Sequence, residues 1–119
     1  MPTFDDRGLP TGSTHEAARH AVESALWRMM AFYDTPIADL DAASAFDPAW
    51  PLPHAMKAGF LFSLTEPNLV EQATQHLEAA RALVNAHTPA RERAHVEALQ
   101  LIQQGRWGAA CRTWDLLLI

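Results

Sequence analysis

The stretch Thr88–Ile119, TPARERAHVEALQLIQQGRWGAACRTWDLLLI, decides the fold. Thr88 and Pro89 open a helix, because proline's fixed φ suits a first turn in which its missing amide hydrogen costs nothing. Gly105 closes it, since glycine enters the left-handed conformation that ends helices without a steric penalty. Trp107 begins a second helix whose apolar residues fall at Trp107, Ala110, Cys111, Trp114, Leu117 and Leu118, a helical spacing that continues to the end of the stretch. Two helices joined by a tight turn make one antiparallel hairpin.

The same grammar recurs upstream. Residues 1–12 carry two glycines, two prolines and two adjacent aspartates without periodicity, and are expected to be an N-terminal arm. Ser13 and Glu16 have the spacing of a capping box, which places a helix start at Ser13. Ala18, Val22, Ala25, Leu26, Met29 and Phe32 then form one buried stripe up to Tyr33. Asp34, Thr35 and Pro36 stop the chain and restart it, with Thr35 as N-cap. The second helix buries Ile37, Leu40 and Ala43 and ends near Phe46, because Pro48 disfavours helical geometry at Asp47.

A third helix from Pro53 to Leu64, PHAMKAGFLFSL, is nearly apolar all round and is therefore expected to lie between neighbours. Thr65-Glu66-Pro67 turns the chain into a fourth. Leu69, Ala73, Leu77, Ala80 and Leu83 line one of its faces, and Glu71, Gln75, Glu78 and Arg81 the other. The expected organisation is an arm over 1–12 and a helical domain over 13–119, with hairpins at about 13–47, 53–87 and 88–119.

Aligned on their apolar faces, the even-numbered helices read Pro36/Leu40/Ala43, Ala73/Leu77/Ala80 and Ala110/Trp114/Leu117, a step of 37 residues both times (77 − 40 and 114 − 77). A period of that size, two helices to a unit, is the signature of a helical solenoid whose units bury their faces by stacking. Ala58 and Ala98 each stand three residues before a leucine, Leu61 and Leu101, and small residues at such positions let two helix backbones approach.

With Ala98, Leu101, Gly105, Trp107, Ala110 and Trp114 at that family's spacing, the third unit resembles the tetratricopeptide repeat. The first unit matches through Leu40, Ala43 and Pro48. The second departs from the pattern, with no glycine in its turn and a longer second helix. GLPT near the start, AFDPAWPLPHAMKAGFLF in the middle and ARERAHVEALQLIQQGRWGAA near the end are similar to the N-terminal part of bacterial proteins similar to tetratricopeptide repeat protein thirty-eight. The resemblance implies three hairpins stacked as an all-α right-handed solenoid, odd helices lining the inner face. It also implies a scaffold function, with a peptide or protein segment on that face. Carried over to this sequence, the groove positions are Gly59, Phe62, Glu92, His95, Leu99, Ile102 and Gln103.

Composition narrows the function further. The chain has 119 residues, enough to bury ~60–70% of its unfolded surface in one core. Apolar residues make up 49% and charged residues 19%, with no apolar run long enough to span a membrane. A net charge of -5, with Lys57 the only lysine, disfavours nucleic acid as a partner. The lone Cys111 excludes an intrachain disulfide and a multi-thiolate zinc site; on an apolar stripe it is expected to be a buried small hydrophobe. The acidic start MPTFDDRG lacks the bases and apolar core of a secretory signal, so a cytoplasmic location is expected.

No enzyme chemistry is evident. His15 and His20 are five apart and so lie roughly 140° apart around a helix, too far to share a metal. His54, His76, His87 and His95 are on separate segments. There is no G-x-S-x-G elbow and no glycine-rich phosphate loop. Glu92 and Glu97, with Arg91 and Arg93, read as a solvated ion-pair face. Asp34, Asp39, Asp41 and Asp47 read as a solvated face or an acidic patch for a basic partner.

Neither a catalytic residue nor a cofactor or metal is expected, and the chain is read as a non-enzyme. Trp50, between prolines, is expected over a helix-pair junction, and Trp27 off the main stripe as an exposed contact. Two alternatives remain. One is a small bundle holding an apolar ligand among Met29, Met30, Phe60 and Phe62, which an enclosed cavity of ~300 Å³ or more would favour. The other is a self-associating N-terminal fragment of a longer repeat protein, a homodimer through Trp114, Leu117, Leu118 and Ile119, since the last helix carries no polar cap.

Overall fold

The computed structural model describes residues 3–5, 8, 10–31, 36–64 and 66–117. Within them are six helices: α1 Glu16–Ala31, α2 Ile37–Phe46, α3 Leu52–Ser63, α4 Pro67–Leu83, α5 Ala90–Gln103 and α6 Trp107–Leu117. The expected elements are all present, each within a few residues of its expected bounds. No described helix is long and apolar enough to cross a membrane. Phe32, Tyr33, Asp34 and Thr35, the Met30 and Leu117 side chains, Leu118 and Ile119 lie outside what is described.

Consecutive helices pack as pairs, α1 with α2, α3 with α4 and α5 with α6. Beyond these, α3 touches α2 and α5, and α4 touches α5. The apolar α3 therefore sits among three neighbours, as its all-round apolar surface requires. Direct contact between α1 and either α3 or α5 is sparse.

The 37-residue step has a physical counterpart. Leu40, Ala43, Ala73, Leu77, Ala80 and Ala110 are all completely buried, and Pro36 nearly so. The end of α5 is a Schellman motif: Gly105, at φ 77, donates its amide to the Ile102 carbonyl at 2.9 Å, and the Arg106 amide reaches Leu101 at 2.7 Å.

The core is divided. One cluster joins Ala55, Ala58, Leu61 and Phe62 of α3 with buried residues of α4, α5 and α6. A second joins Ala18, Ala21, Val22 and Ala25 of α1 with Leu40 and Ala43 of α2, closed by Trp50 and Leu52.

Four expectations are corrected. Residues 1–12 include an antiparallel pair of two-residue strands, β1 Thr3–Phe4 and β2 Pro10–Thr11, with Thr3 opposite Thr11. The Ser13 hydroxyl accepts from the His15 amide and donates to Asp47 at 2.6 Å, so α1 begins at Glu16 instead of Ser13. On α6 only Ala110 is buried and Trp114 half-buried, while Trp107 is 51% exposed and Cys111 is also exposed. Trp107 and Cys111 sit roughly 60° and 100° from Ala110 around the helix, both on the same side, and α6 packs along one line only.

Lastly, the three described aspartates, Asp39, Asp41 and Asp47, each have a partner within the chain. Arg28 Nε lies 2.7 Å from Asp39, Lys57 Nζ is 2.9 Å from Asp41, and Asp47 is buried on Ser13; Asp34 is not described.

Candidate ligand-binding cleft

The gap that α1 leaves is a cleft of ≈ 230 Å³ whose walls are mainly apolar. Each wall is a helical stripe. Arg19, Val22, Glu23, Leu26 and Met29 come from α1; Leu52, Ala55, Met56, Gly59 and Phe60 from α3; Arg91, His95 and Leu99 from α5. Steps of three and four put each set on one helix face. Trp114 of α6 and Trp50 also contribute, as do Asp5 and Thr11 of the arm.

Polarity changes along the cleft. In α1 the order is Arg19, Glu23, Leu26, Met29, and in α5 it is Arg91, His95, Leu99. Both run from charged to apolar, and both charged ends meet the arm. Arg19 Nη1 donates to the Phe4 carbonyl at 3.3 Å, and Arg91 Nη2 to the Pro10 carbonyl at 3.2 Å. The Asp5 carboxylate, whose side chain is 5% exposed, lies 3.7 Å from Arg91.

His95 stands at the transition. The Trp114 indole donates to its Nδ1 at 3.1 Å, so its neutral form carries the proton on Nε2. Burial, then the Arg91 charge, holds its pKa below the ordinary histidine value. It presents a neutral imidazole to the cleft at neutral pH.

Behind the cleft is a buried tether. Glu92 is 1% exposed; Oε1 accepts from the Trp50 indole and Oε2 from the Gly12 amide, both at 2.9 Å. Burial raises its pKa above the ordinary value, against the lowering effect of these two hydrogen bonds. A Cβ on Gly12 would stand 2.5 Å from Glu92 Oε1, so glycine is needed for the close approach of the arm.

The candidate residues divide accordingly. Gly59, His95 and Leu99 line the cleft. Phe62 and Ile102 do not; both are buried in the shared core, turned towards neighbouring helices. Glu92, expected at the groove and on a solvated face, is the internal tether. It lies about 100° around α5 from Arg91 and so turns to Trp50. Gln103 is exposed beyond the cleft. Trp27 is 63% exposed on α1, outside the cleft wall. Trp114, expected at a dimer contact, is held by His95 and packs on the core.

Arg19, Glu23, Leu26, Met56 and Arg91 were missed. Their common signal, a charged residue followed by apolar ones at steps of three and four in α1 and α5, is visible only once the two helices are known to face each other.

A second polar group lies outside the cleft. His54 and His76, on α3 and α4, are both held below the ordinary histidine value, chiefly by burial and then by the Lys57 charge. Among the described residues no group of three or more histidine, cysteine, aspartate or glutamate side chains is placed to hold a metal ion.

Comparison with family models, with curated proteins and with solved structures finds no match to this chain.

Proposed function

We propose that this chain is an interaction module of the tetratricopeptide type that takes a peptide segment of a partner protein into the cleft between α1 and the α3–α5 wall. The observation that carries this reading is the cleft itself: three odd-numbered helices converge on ≈ 230 Å³ of mainly apolar surface. Sites of this kind, apolar with a few convergent polar groups, are the ordinary form of a binding pocket. The 37-residue recurrence of buried positions supports the repeat character, with the hairpins stacked as a right-handed solenoid.

A dodecapeptide phage library panned against the protein tests the reading. Leu26→Asp and Met56→Asp each put a carboxylate into the apolar wall at a half-buried position, and both variants are expected to keep their helices by circular dichroism. Selected peptides are expected to bind both variants at least tenfold more weakly. Unchanged affinity in both removes the cleft as the site. Leu99→Asp is a poorer probe, because Leu99 is 5% exposed and belongs to the core.

The apolar-ligand alternative draws on Met29 and Phe60, which do line the cleft, but the volume is below the ~300 Å³ expected of a small-molecule pocket. Self-association has Trp107 and Leu116 of α6, both more than half exposed, as its surface.

A further inference from the structure

The two arginines at the mouth of the cleft are badly served. Charge-assisted N–H···O contacts settle at about 2.7–2.9 Å. Here Arg19 reaches a backbone carbonyl at 3.3 Å, and Arg91 reaches a carbonyl at 3.2 Å and a carboxylate at 3.7 Å. The Nε atoms of both are buried without a hydrogen-bond partner. Elsewhere the same chain makes a close, hydrogen-bonded ion pair, Lys57 to Asp41 at 2.9 Å. Two guanidiniums on different helices face one opening, and the groups that now meet them come from the short arm.

The arm presents the chemistry of an extended peptide: the carbonyls of Phe4 and Pro10 and the Asp5 carboxylate. It is joined to the helical body by the tighter Gly12–Glu92 bond at 2.9 Å. A segment displacing residues 3–11 from the arginines leaves that bond and the helices in place.

We infer that β1 and β2 are an internal stand-in for an acidic partner peptide, which displaces the Phe4 carbonyl from Arg19 and the Asp5 carboxylate from Arg91 and lays its apolar side chains along Leu26, Met56 and Phe60. The inference rests on the peptide reading of the cleft and names the partner's chemistry: an extended segment acidic at the end that meets the arginines and apolar along the rest. A carboxylate bound bidentately to a freed guanidinium gains the short contacts that the arm leaves unmade. The arm sets a threshold for acidic partners, since a carboxylate must first displace Asp5 from Arg91, whereas a peptide without one leaves that contact in place.

The test uses two fluorescein-labelled heptapeptides, one with two glutamates at one end and leucines beyond and one with glutamines in place of the glutamates, titrated by fluorescence polarisation into the full chain. Asp5→Asn removes the internal carboxylate, and exposed Asp115→Asn makes the same charge change on α6 outside the cleft wall. Asp5→Asn is expected to tighten binding of the glutamate peptide about tenfold, with the glutamine peptide and Asp115→Asn unmoved. Adding Arg19→Gln and Arg91→Gln to Asp5→Asn should bring the glutamate peptide back to the glutamine level. Asp5→Ser, with a shorter neutral side chain, should act as Asp5→Asn does.

No gain in either Asp5 variant, or an equal gain for both peptides, overturns the inference. If neither heptapeptide binds while the phage library yields cleft binders, the acidic partner is wrong and the cleft reading stands. If the library also yields none, both fall.

Discussion

Hairpins two and three are held together differently from hairpin one. The former share one cluster in which Ala58, Leu61, Leu77, Val96, Ala98 and Ala110 interlock across four helices. The latter keeps its own cluster around Leu40 and Trp50, which takes in Leu52 at the start of α3, but it meets α5 through hydrogen bonds: Glu92 to Trp50 and Gly12, with Ser13 to Asp47 securing the start of α1. Apolar burial is non-directional and draws surfaces together until no gap remains. Hydrogen bonds act at points, so a junction built on them can stay open beside those points. The cleft lies where the second kind of junction replaces the first.

The sharpest way to break this comparison is to cut one core at a time. Leu40→Ala and Leu77→Ala each remove a completely buried side chain and should cost ~2–5 kcal/mol. By hydrogen exchange, Leu40→Ala should expose the amides of α1 and α2 and leave α3–α6 protected, whereas Leu77→Ala should weaken protection in all of α3–α6. Uniform loss in Leu40→Ala would show a single cooperative core.

Glu92→Ala is the next largest. It strands the Trp50 indole and the Gly12 amide, and one unsatisfied buried donor costs about 1–3 kcal/mol. Urea unfolding should show a loss of that order, accompanied by a red-shifted Trp50 environment.

The smallest effect is on pH dependence. His54, His76 and His95 have folded pKa values below 6.5, so as pH falls below 6.5 the unfolded chain takes up protons that the folded chain refuses, and stability drops. Glu92 acts in the opposite sense. Its folded pKa is above 4.5, so its contribution is fully present below pH 4.5 and is lost as pH rises through the folded value. Where the two ranges overlap, above pH 4.5, the two trends oppose. Glu92→Gln should therefore lose stability more steeply on acidification than the parent chain; equal slopes in urea midpoints at pH 7, 6 and 5 would remove Glu92 from the balance.

Parts of this were legible in the linear chain. Gly105, Pro67 and the apolar spacing located the helices, because turn geometry and helical period are local properties. The 37-residue step located the deeply buried positions of α2 and α4. The cleft was only half legible: Gly59, His95 and Leu99 carried over, while Phe62, Ile102 and Glu92 did not, since a change of one residue turns a side chain about 100° around its helix. The aspartates misled for a related reason. The segment between Arg28 and Lys57 contains no base, yet the two flanking bases fold back onto Asp39 and Asp41.

By itself, then, the sequence determined six helices, their pairing into hairpins and the small residues at their closest approaches, all consequences of period and local backbone preference. Tertiary structure alone decided that Glu92 faces inward, that the unpatterned arm meets Arg19 and Arg91, and that α1 stands away from α3 and α5. Those outcomes depend on how helices without covalent or periodic relation are oriented about their own axes. That rotation is set by the competition between apolar packing and a few buried hydrogen bonds.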